Sequence, residues 1–404
     1  MRRSVLILIF AMAVSIAPFS TIVLAQTPNP DSGSSPLVSG GGKIHRRVLP
    51  QLTGPPPRVE SMKLIAPGFG WALTIGRRLF WTTDDGVNWK NITPVSTLGY
   101  RANLCDIFFL DRRHAWVLFA EYGEPEPKFD LAYTGDTGAT WSTTHVAIPE
   151  NEGNLAPGGR IAFADSQHGW MVLDLATSSA FHAGTLLLTS DGGRTWRDAP
   201  VDPSGDGAIL LVAPEEGWMA GGAEDEELYA TQDGAKSWRK VSLPAPKEIR
   251  PAIYPTADLP VFADKKHGFV AVTYSGGDKS AAVLFSTGDG GRSWTPDRIL
   301  ANLAESSEGE RLPSTVADSA WIIFSGSSDE PTLTKPGAGA RVDARDLKGY
   351  LTNAVLSFVS STEGWIVVGN GELLSTTDGG VTWTSITPGA RPHAVKPRDG
   401  SQTN

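Results

Sequence analysis

The chain has 404 residues, of which 40% are hydrophobic and 20% are charged, as is typical of a soluble globular protein. Its formal net charge is −9 and no strong basic patch is evident, which argues against nucleic acid as a partner. The single cysteine, Cys105, excludes an intrachain disulfide, and 44 glycines with 29 prolines indicate the many tight turns of an all-β chain.

The first 25 residues have the pattern of a secretory signal peptide. Arg2 and Arg3 precede an apolar stretch over residues 5–25, which ends in Ala25, a small residue suited to cleavage. We therefore predict cleavage near Ala25 and export to the periplasm or the extracellular space. An uncleaved membrane anchor is the alternative, because a stretch of this length is enough to span a bilayer.

Two low-complexity segments flank the predicted folded domain, which covers residues 58–388. Residues 26–57 are rich in Pro, Gly and Ser and lack apolar periodicity, so we predict a linker there. Residues 389–404 have a similar composition and are predicted to form a flexible tail.

Between these segments one unit is repeated seven times. In each copy a tryptophan or phenylalanine follows a small residue, at intervals of 44 to 54 residues. A period of this size is typical of a propeller or a solenoid. The seven aromatic residues are Trp71, Trp116, Trp170, Trp218, Phe269, Trp321 and Trp365.

A second motif, Ser/Thr-x-Asp-x-Gly-x-Ser/Thr-Trp, follows in six of the seven copies; this is the Asp-box, hereafter the box. Asn88 replaces the second hydroxyl residue in box one, and Ala235 replaces the glycine in box four. The sixth copy lacks a box, whose place falls within residues 325–348. The box aspartates are Asp84, Asp136, Asp191, Asp233, Asp289 and Asp378, and the closing tryptophans are Trp89, Trp141, Trp196, Trp238, Trp294 and Trp383.

Apolar runs divide each copy into four short strands, as at residues 161–163, 170–173 and 186–188 and after Trp196. The fold class is therefore all-β, and we predict a seven-bladed β-propeller of four-stranded antiparallel blades with boxes as hairpin turns. The ring closes either with an added strand from residues 48–52 or without one.

The box residues suit structural roles. The aspartate accepts hydrogen bonds within its turn, the glycine tolerates a positive φ, and the tryptophan buries a large surface. Six near-identical copies cannot all be catalytic, so we interpret the boxes as turn-forming elements. If Ala235 occupies the strained glycine position, Ala235→Gly should stabilise the protein by roughly 0.5–1 kcal/mol.

Three histidines share one repeat position, two residues before the aromatic residue, and three aspartates recur three residues before them. Other copies carry Phe, Glu or Ser at the histidine position, so we interpret it as part of a turn. No known catalytic, metal-binding or cofactor-binding motif occurs, and none of these sites is predicted. The histidines are His114, His168 and His267, and the aspartates are Asp111, Asp165 and Asp264.

The repeat resembles that of the photosystem II stability/assembly factor family. The resemblance rests on residues 163–170 (FADSQHGW), 187–196 (LLTSDGGRTW) and 374–383 (LSTTDGGVTW), and it extends over about residues 58–388. It implies a seven-bladed, non-enzymatic lumenal or periplasmic protein that helps to assemble membrane complexes.

Two hypotheses about function follow. The first is a scaffold that binds a membrane or secreted protein through long loops at residues 121–130, 176–184 and 325–348, because loops on rigid scaffolds often carry function. The second is a carbohydrate-active protein (a glycoside hydrolase, a sialidase-like enzyme or a lectin), since such proteins also use Asp-boxes. Residues 160–162 (RIA) match the sialidase Arg-Ile-Pro element only in part, and no carboxyl pair stands out.

Overall fold

The computed structural model describes most of the chain between residues 56 and 394, where all regular structure is β-strand. In this part of the chain no helix has the length and apolar character needed to cross a membrane. The predicted signal peptide, nearly all of the predicted linker and residues 48–52 lie outside the described residues. The described residues are 56–98, 102–122, 126–149, 154–176, 183–203, 207–221, 228–247, 249, 254–262, 264–276, 279–304, 314–316, 319–324, 332–334, 341–343, 354–390 and 393–394.

The strands form seven antiparallel sheets in chain order. The first three are β1 (Val59–Ala66), β2 (Phe69–Thr74), β3 (Leu79–Thr82) and β4 (Lys90–Asn91); β5 (Asn103–Phe109), β6 (Ala115–Glu121), β7 (Lys128–Thr134) and β8 (Ser142–His145); and β9 (Leu155–Phe163), β10 (Gly169–Leu175), β11 (Gly184–Thr189) and β12 (Arg197–Asp198).

The fourth and fifth sheets are β13 (Ile209–Ala213), β14 (Glu216–Ala220), β15 (Leu228–Thr231) and β16 (Arg239–Lys240); and β17 (Tyr254–Ala257), β18 (Val261–Phe262), β19 (Gly268–Gly276), β20 (Lys279–Thr287) and β21 (Thr295–Ala304). The last two are β22 (Ser314–Val316), β23 (Ser319–Phe324), β24 (Thr332–Thr334) and β25 (Arg341–Asp343); and β26 (Val355–Phe358), β27 (Gly364–Val367), β28 (Leu373–Thr376), β29 (Thr384–Ser385) and β30 (His393–Ala394).

The first strand of a sheet lies nearest the centre of the molecule. β5 contacts β9, β9 contacts β13, β22 contacts β26, and β26 contacts β1. Since these first strands meet one another from sheet to sheet, they surround a common axis, as in a propeller.

Apolar side chains fill the spaces between neighbouring sheets. Trp116 on β6 stacks on Phe163 of the next sheet, with ring centroids 3.8 Å apart and planes 7° apart. Trp81 on β3 stacks on Phe109 in the same way, at 4.9 Å. The middle strands are therefore buried on both faces, and six of the seven residues of β6 are buried.

The two ends of the propeller differ in the turns that they carry. The residue after each box aspartate donates its backbone N–H to a carbonyl in the turn between the first two strands, as from Gly192 to Gln167 (2.8 Å) and from Thr137 to Arg113 (3.0 Å). Boxes and first hairpin turns therefore share one end, the box end. The connections between second and third strands lie at the opposite end, the loop end.

The predicted all-β propeller of four-stranded antiparallel sheets is confirmed, with additional strands in the fifth and last sheets. For β22–β25 only the backbone pairing is described, whereas the other six sheets also have described side chains. The count of seven blades therefore stays a prediction.

The last sheet packs against the first. The N–H of Val59 donates to the Gly371 carbonyl (2.7 Å), and the Arg58 Nε donates to the Asn370 carbonyl (2.9 Å). At the C-terminal side, β30 pairs with β29 as a fifth strand, within the predicted tail.

Candidate functional site

The box aspartates lie in six turns of nearly identical geometry. In each, the first threonine donates its hydroxyl to the aspartate Oδ1 at 2.8–2.9 Å and accepts the N–H of the glycine or alanine at 2.8–3.2 Å. The next polar residue donates its N–H to Oδ1 and its side chain to Oδ2, at 2.6–3.0 Å. Every carboxylate is therefore used inside its own turn.

These hydrogen bonds stabilise the ionised carboxylates. The backbone and hydroxyl of Thr140 hold the pKa of Asp136 at about 2, and the hydroxyl and backbone of Ser237 do the same for Asp233. A carboxyl with such a low pKa is a poor general acid at neutral pH.

The closing tryptophans of the boxes fall into two groups. Trp89, Trp141 and Trp238 donate their indole N–H to a carbonyl of the preceding sheet, as in the bond from Trp141 to Ile92 (2.8 Å). Trp196, Trp294 and Trp383 donate instead to the glycine of their own box at 3.0–3.2 Å. The first group thus joins neighbouring sheets directly.

The recurrent histidines pair with the recurrent aspartates of the first hairpin turn. The Nδ1 atoms of His114, His168 and His267 lie 2.8–2.9 Å from the nearer Oδ2 atoms. The other oxygen of each aspartate accepts backbone N–H groups of the same turn. The three pairs belong to different sheets, and the described residues contain no group of three His, Cys, Asp or Glu side chains that could hold a metal ion.

The long loops predicted to bind a partner start at the loop end, but residues 123–125, 177–182 and most of 325–348 lie outside the described residues. Tyr122, in the first of them, is 73% exposed. Asp130, at the end of that loop, is fully buried, and its Oδ2 accepts hydrogen bonds from the backbone and hydroxyl of Thr97 at 2.7 and 2.6 Å. Asp130 therefore anchors the connection before β5 and does not face a partner.

A cavity of about 490 Å³ is lined by residues of the second, third and fourth sheets. Its wall is formed by the start of β5, the middle of β9, the start of β13 and Asp174 near the end of β10. Because β5, β9 and β13 are first strands, the cavity lies beside the axis. The cavity was not predicted from the sequence, in which its one local signal is the Gly158-Gly159 pair inside β9. A Cβ on Gly158 would clash with the Asp174 Oδ2, so a larger residue here would displace that carboxylate.

The cavity carries charges of both signs. The Arg160 guanidinium lies 3.4 Å from the Asp174 Oδ1, and both side chains are partly exposed. The Asp106 oxygens accept the N–H groups of Ile107 and Ile161, both at 2.8 Å, so this carboxylate joins β5 to β9. Burial raises the pKa of Asp106 against the effect of these hydrogen bonds.

Cys105 also lines this cavity. Burial and then the charges of Asp174 and Asp106 raise the pKa of its thiol to about 12, so the sulfur is a weak nucleophile at neutral pH. As the single cysteine of the chain, it can report on whether the cavity is occupied.

No protein-family model matches the chain. One curated relative matches the chain. Photosystem II assembly lipoprotein Ycf48 of Synechococcus sp. (strain CC9902) is 23% identical over 348 residues, which cover 80% of this chain and 86% of the relative. This match confirms the resemblance to the photosystem II assembly factor family.

Solved structures of similar proteins include YCF48 bound to D1 peptide, with 22% identity and a TM-score of 0.44 over 70% of this chain and 82% of the other. YCF48 from Cyanidioschyzon merolae has 20% identity and a TM-score of 0.46 over 72% and 86%. Propellers that act on polysaccharides also match, at 13% identity or less. With TM-scores below 0.5, these likenesses do not decide between partners.

Proposed function

We propose that the chain is a non-enzymatic scaffold that binds an extended segment of a membrane-protein subunit at the loop end of its propeller. The cavity beside the axis carries this proposal. It combines the buried side chains of Ile161 and Ile209 with the partly exposed Arg160–Asp174 pair, which together suit a peptide chain that has apolar and polar groups. The similarity to Ycf48, and the D1 peptide bound to a solved YCF48, point to the same class of partner.

A peptide-binding experiment tests the proposal. A fluorescent D1 peptide is titrated with the wild-type chain, with Arg160→Gln, and with Arg197→Gln as the control. Arg197 lies on the outermost strand β12, away from the cavity. We expect Arg160→Gln to weaken binding by about 10-fold to 150-fold, as loss of a charge-assisted hydrogen bond of about 1.5–3 kcal/mol implies, and Arg197→Gln to bind as wild type.

Alkylation of Cys105 gives a second readout of the same site. A bound peptide should slow the reaction of the thiol with a maleimide, because Cys105 lies in the wall of the cavity. Peptide binding that left both the alkylation rate and the Arg160 dependence unchanged would place the partner elsewhere, and absence of binding would reject a D1-type partner.

The carbohydrate hypothesis requires two carboxyl groups placed on either side of a glycosidic bond. Asp106 and Asp174 are the two acids of the cavity, but both Asp106 oxygens accept backbone N–H groups and Arg160 pairs with Asp174. We therefore favour the peptide as ligand. Release of reducing sugar from a polysaccharide, abolished by Asp174→Asn, would reverse this preference.

We also propose that β22–β25 form a seventh blade and that the chain is exported. The backbone contacts of β22 support the blade, because β22 contacts β18 and β19 of the fifth sheet and also β26 of the last sheet. The apolar stretch over residues 5–25 supports export. An N-terminal sequence of the mature protein that starts at Gln26 is the expected result.

A further inference from the structure

The junction between the last sheet and the first contains a buried carboxyl oxygen without a hydrogen-bond partner. This atom is the Glu363 Oε2, in the residue directly before β27. Glu363 occupies the repeat position that a histidine occupies in three other sheets, and here no aspartate precedes it by three residues. A buried acceptor without a donor destabilises the folded state, and more so when it is charged.

A second carboxylate, Asp85 of box one, lies at the same junction and is already engaged. Its Oδ1 accepts the indole N–H of Trp365 at 2.8 Å, and its Oδ2 accepts the hydroxyl of Ser375 at 2.6 Å. These bonds join the first sheet to β27 and β28 at the box end. Asp85 thus helps to close the ring, while its charge repels an ionised Glu363.

Among the described residues, no ion pair offsets this repulsion, since no Lys, Arg or His among them forms one with Glu363. Asp378, in the box of the same sheet, is occupied by hydrogen bonds from Thr376 and Thr382. Burial, followed by the charge of Asp85, raises the pKa of Glu363.

We propose that Glu363 is a proton-operated latch on ring closure, so that its protonation tightens the contact between the last and first sheets and its ionisation loosens it. A protonated Glu363 has no charge to repel Asp85 and gains an O–H donor. The destabilisation is absent below the ordinary glutamate pKa, appears as the pH rises, and is complete above the raised pKa of the folded state. This proposal does not depend on the partner or on the cavity.

Glu363→Gln removes the charge with little change in shape, and Glu216→Gln is the matched control. Glu216 occupies the same repeat position in the fourth sheet, directly before Gly217 and Trp218. Hydrogen exchange of β1, β26 and β27 is measured between about pH 5 and 8 and corrected for intrinsic rates. We expect junction opening in the wild type to increase with pH relative to Glu363→Gln, by up to about 10-fold for each unit by which the pKa is raised.

The control should follow the wild type, since Glu216 has no such buried oxygen. The wild type also contains its own reference, because the junction between β14 and β19 has Glu216 and Gly290 at the positions of Glu363 and Asp85 and therefore lacks the pair of acids. The proposal is wrong if the two junctions of the wild type open in a constant ratio at every pH, or if Glu363→Gln and the wild type show the same profile. The comparison of the two junctions uses only the wild-type protein, so it does not depend on the folding of a variant.

Discussion

The second residue after the box aspartate has a left-handed backbone in all six boxes. Five of these residues are glycines, with φ between 68° and 92°, and the sixth is Ala235 with φ 65°. The predicted strained geometry of box four is therefore confirmed. A residue with a Cβ is disfavoured in this region by roughly 1–2 kcal/mol, which explains the predominance of glycine.

Two glycine-to-alanine substitutions with the same backbone strain should differ in stability, because the space available for the new Cβ differs. Gly86 and Gly291 have φ of 80° and 79°, so alanine at either position introduces similar strain. A Cβ on Gly86 would lie 2.6 Å from the Ile386 Cβ of the last sheet, whereas on Gly291 the nearest atom, the Cζ of Phe262, is 3.3 Å away. We expect Gly291→Ala to destabilise by about 1 kcal/mol and Gly86→Ala by about 2–4 kcal/mol, from strain plus overpacking.

Denaturant unfolding of the two variants measures this difference. Gly76→Ala is a suitable control, because Gly76 lies in a turn with a φ that alanine tolerates and with its nearest contact at 3.9 Å. Equal losses for Gly86→Ala and Gly291→Ala would contradict the close approach of Ile386 to box one.

At the scale of the strand, box four shows how neighbouring sheets compensate. In the first, third and last sheets the residue after the fourth strand donates its N–H to the third strand: Ile92 to Leu79, Ala199 to Leu186, and Ile386 to Leu373. Ala199 is therefore the counterpart of the isoleucines that approach the glycines of boxes one and two. Both Ala199 and Ala235 belong to the same apolar cluster, so a methyl group on the box replaces a larger side chain on the neighbouring sheet.

This arrangement changes the expected effect of Ala235→Gly. The substitution relieves strain of roughly 1–2 kcal/mol, but it removes a fully buried methyl worth about 0.8 kcal/mol and makes the unfolded chain more flexible. We therefore expect a net change within about 0.5 kcal/mol, smaller than the sequence alone suggests. Ala199→Ile alone should destabilise by about 1–3 kcal/mol through overpacking against Ala235.

The double variant Ala199→Ile with Ala235→Gly restores the pairing of the first two boxes. We expect it to be more stable than Ala199→Ile alone by about 1–2 kcal/mol, with clear coupling in a double-mutant cycle. Melting temperatures and denaturant midpoints of the four proteins give the coupling energy. Additive effects, within about 0.5 kcal/mol, would show that the two residues do not share one space.

Local patterns predicted the elements well, because their causes lie within a few residues. The box fixes its own turn through bonds from residue i to i+4, and the apolar runs on either side of Trp170 mark β9 and β10. The cavity had only the Gly158-Gly159 pair as a local signal, and that pair does not identify the other residues of the wall. It depends on Asp106 accepting the N–H of Ile161, 55 residues away, and on Asp174 from a third strand, so only the packing of sheets brings its residues together.

At the scale of the whole molecule, the position of Glu363 beside Asp85 could not be predicted from the sequence. Glu363 and Glu216 are indistinguishable in the repeat, and only the closure of the ring places Asp85 beside the first of them. Ring closure also places the Val59 N–H against Gly371 at the loop end, far apart in sequence. Properties of the closed ring therefore need the structure, whereas properties of a blade can be predicted from its sequence.

The boxes and their neighbouring aspartates should make the propeller sensitive to acid. The pKa values of Asp136, Asp191, Asp233 and Asp264 lie at about 2 in the folded protein, below the ordinary value of about 3.9. A depressed pKa gives stability that is complete above the unfolded value and is lost as the pH falls through the folded one. We therefore expect unfolding between about pH 4 and 2, which far-UV circular dichroism and tryptophan fluorescence can follow.

Asp191→Asn tests whether the box carboxylates cause this transition. The variant cannot offer a charged acceptor to Thr195, so it should be less stable at neutral pH and depend less steeply on pH between about 4 and 2. Asp297→Asn, at an exposed position on β21, should leave both properties unchanged. Protonation of Glu363 stabilises the folded state, which is the opposite of the effect of protonating the four aspartates. Because four aspartates outnumber this one glutamate, we expect acid to destabilise the molecule as a whole. A variant Asp191→Asn with the neutral stability and acid profile of the wild type would show that the box carboxylates do not govern the acid transition.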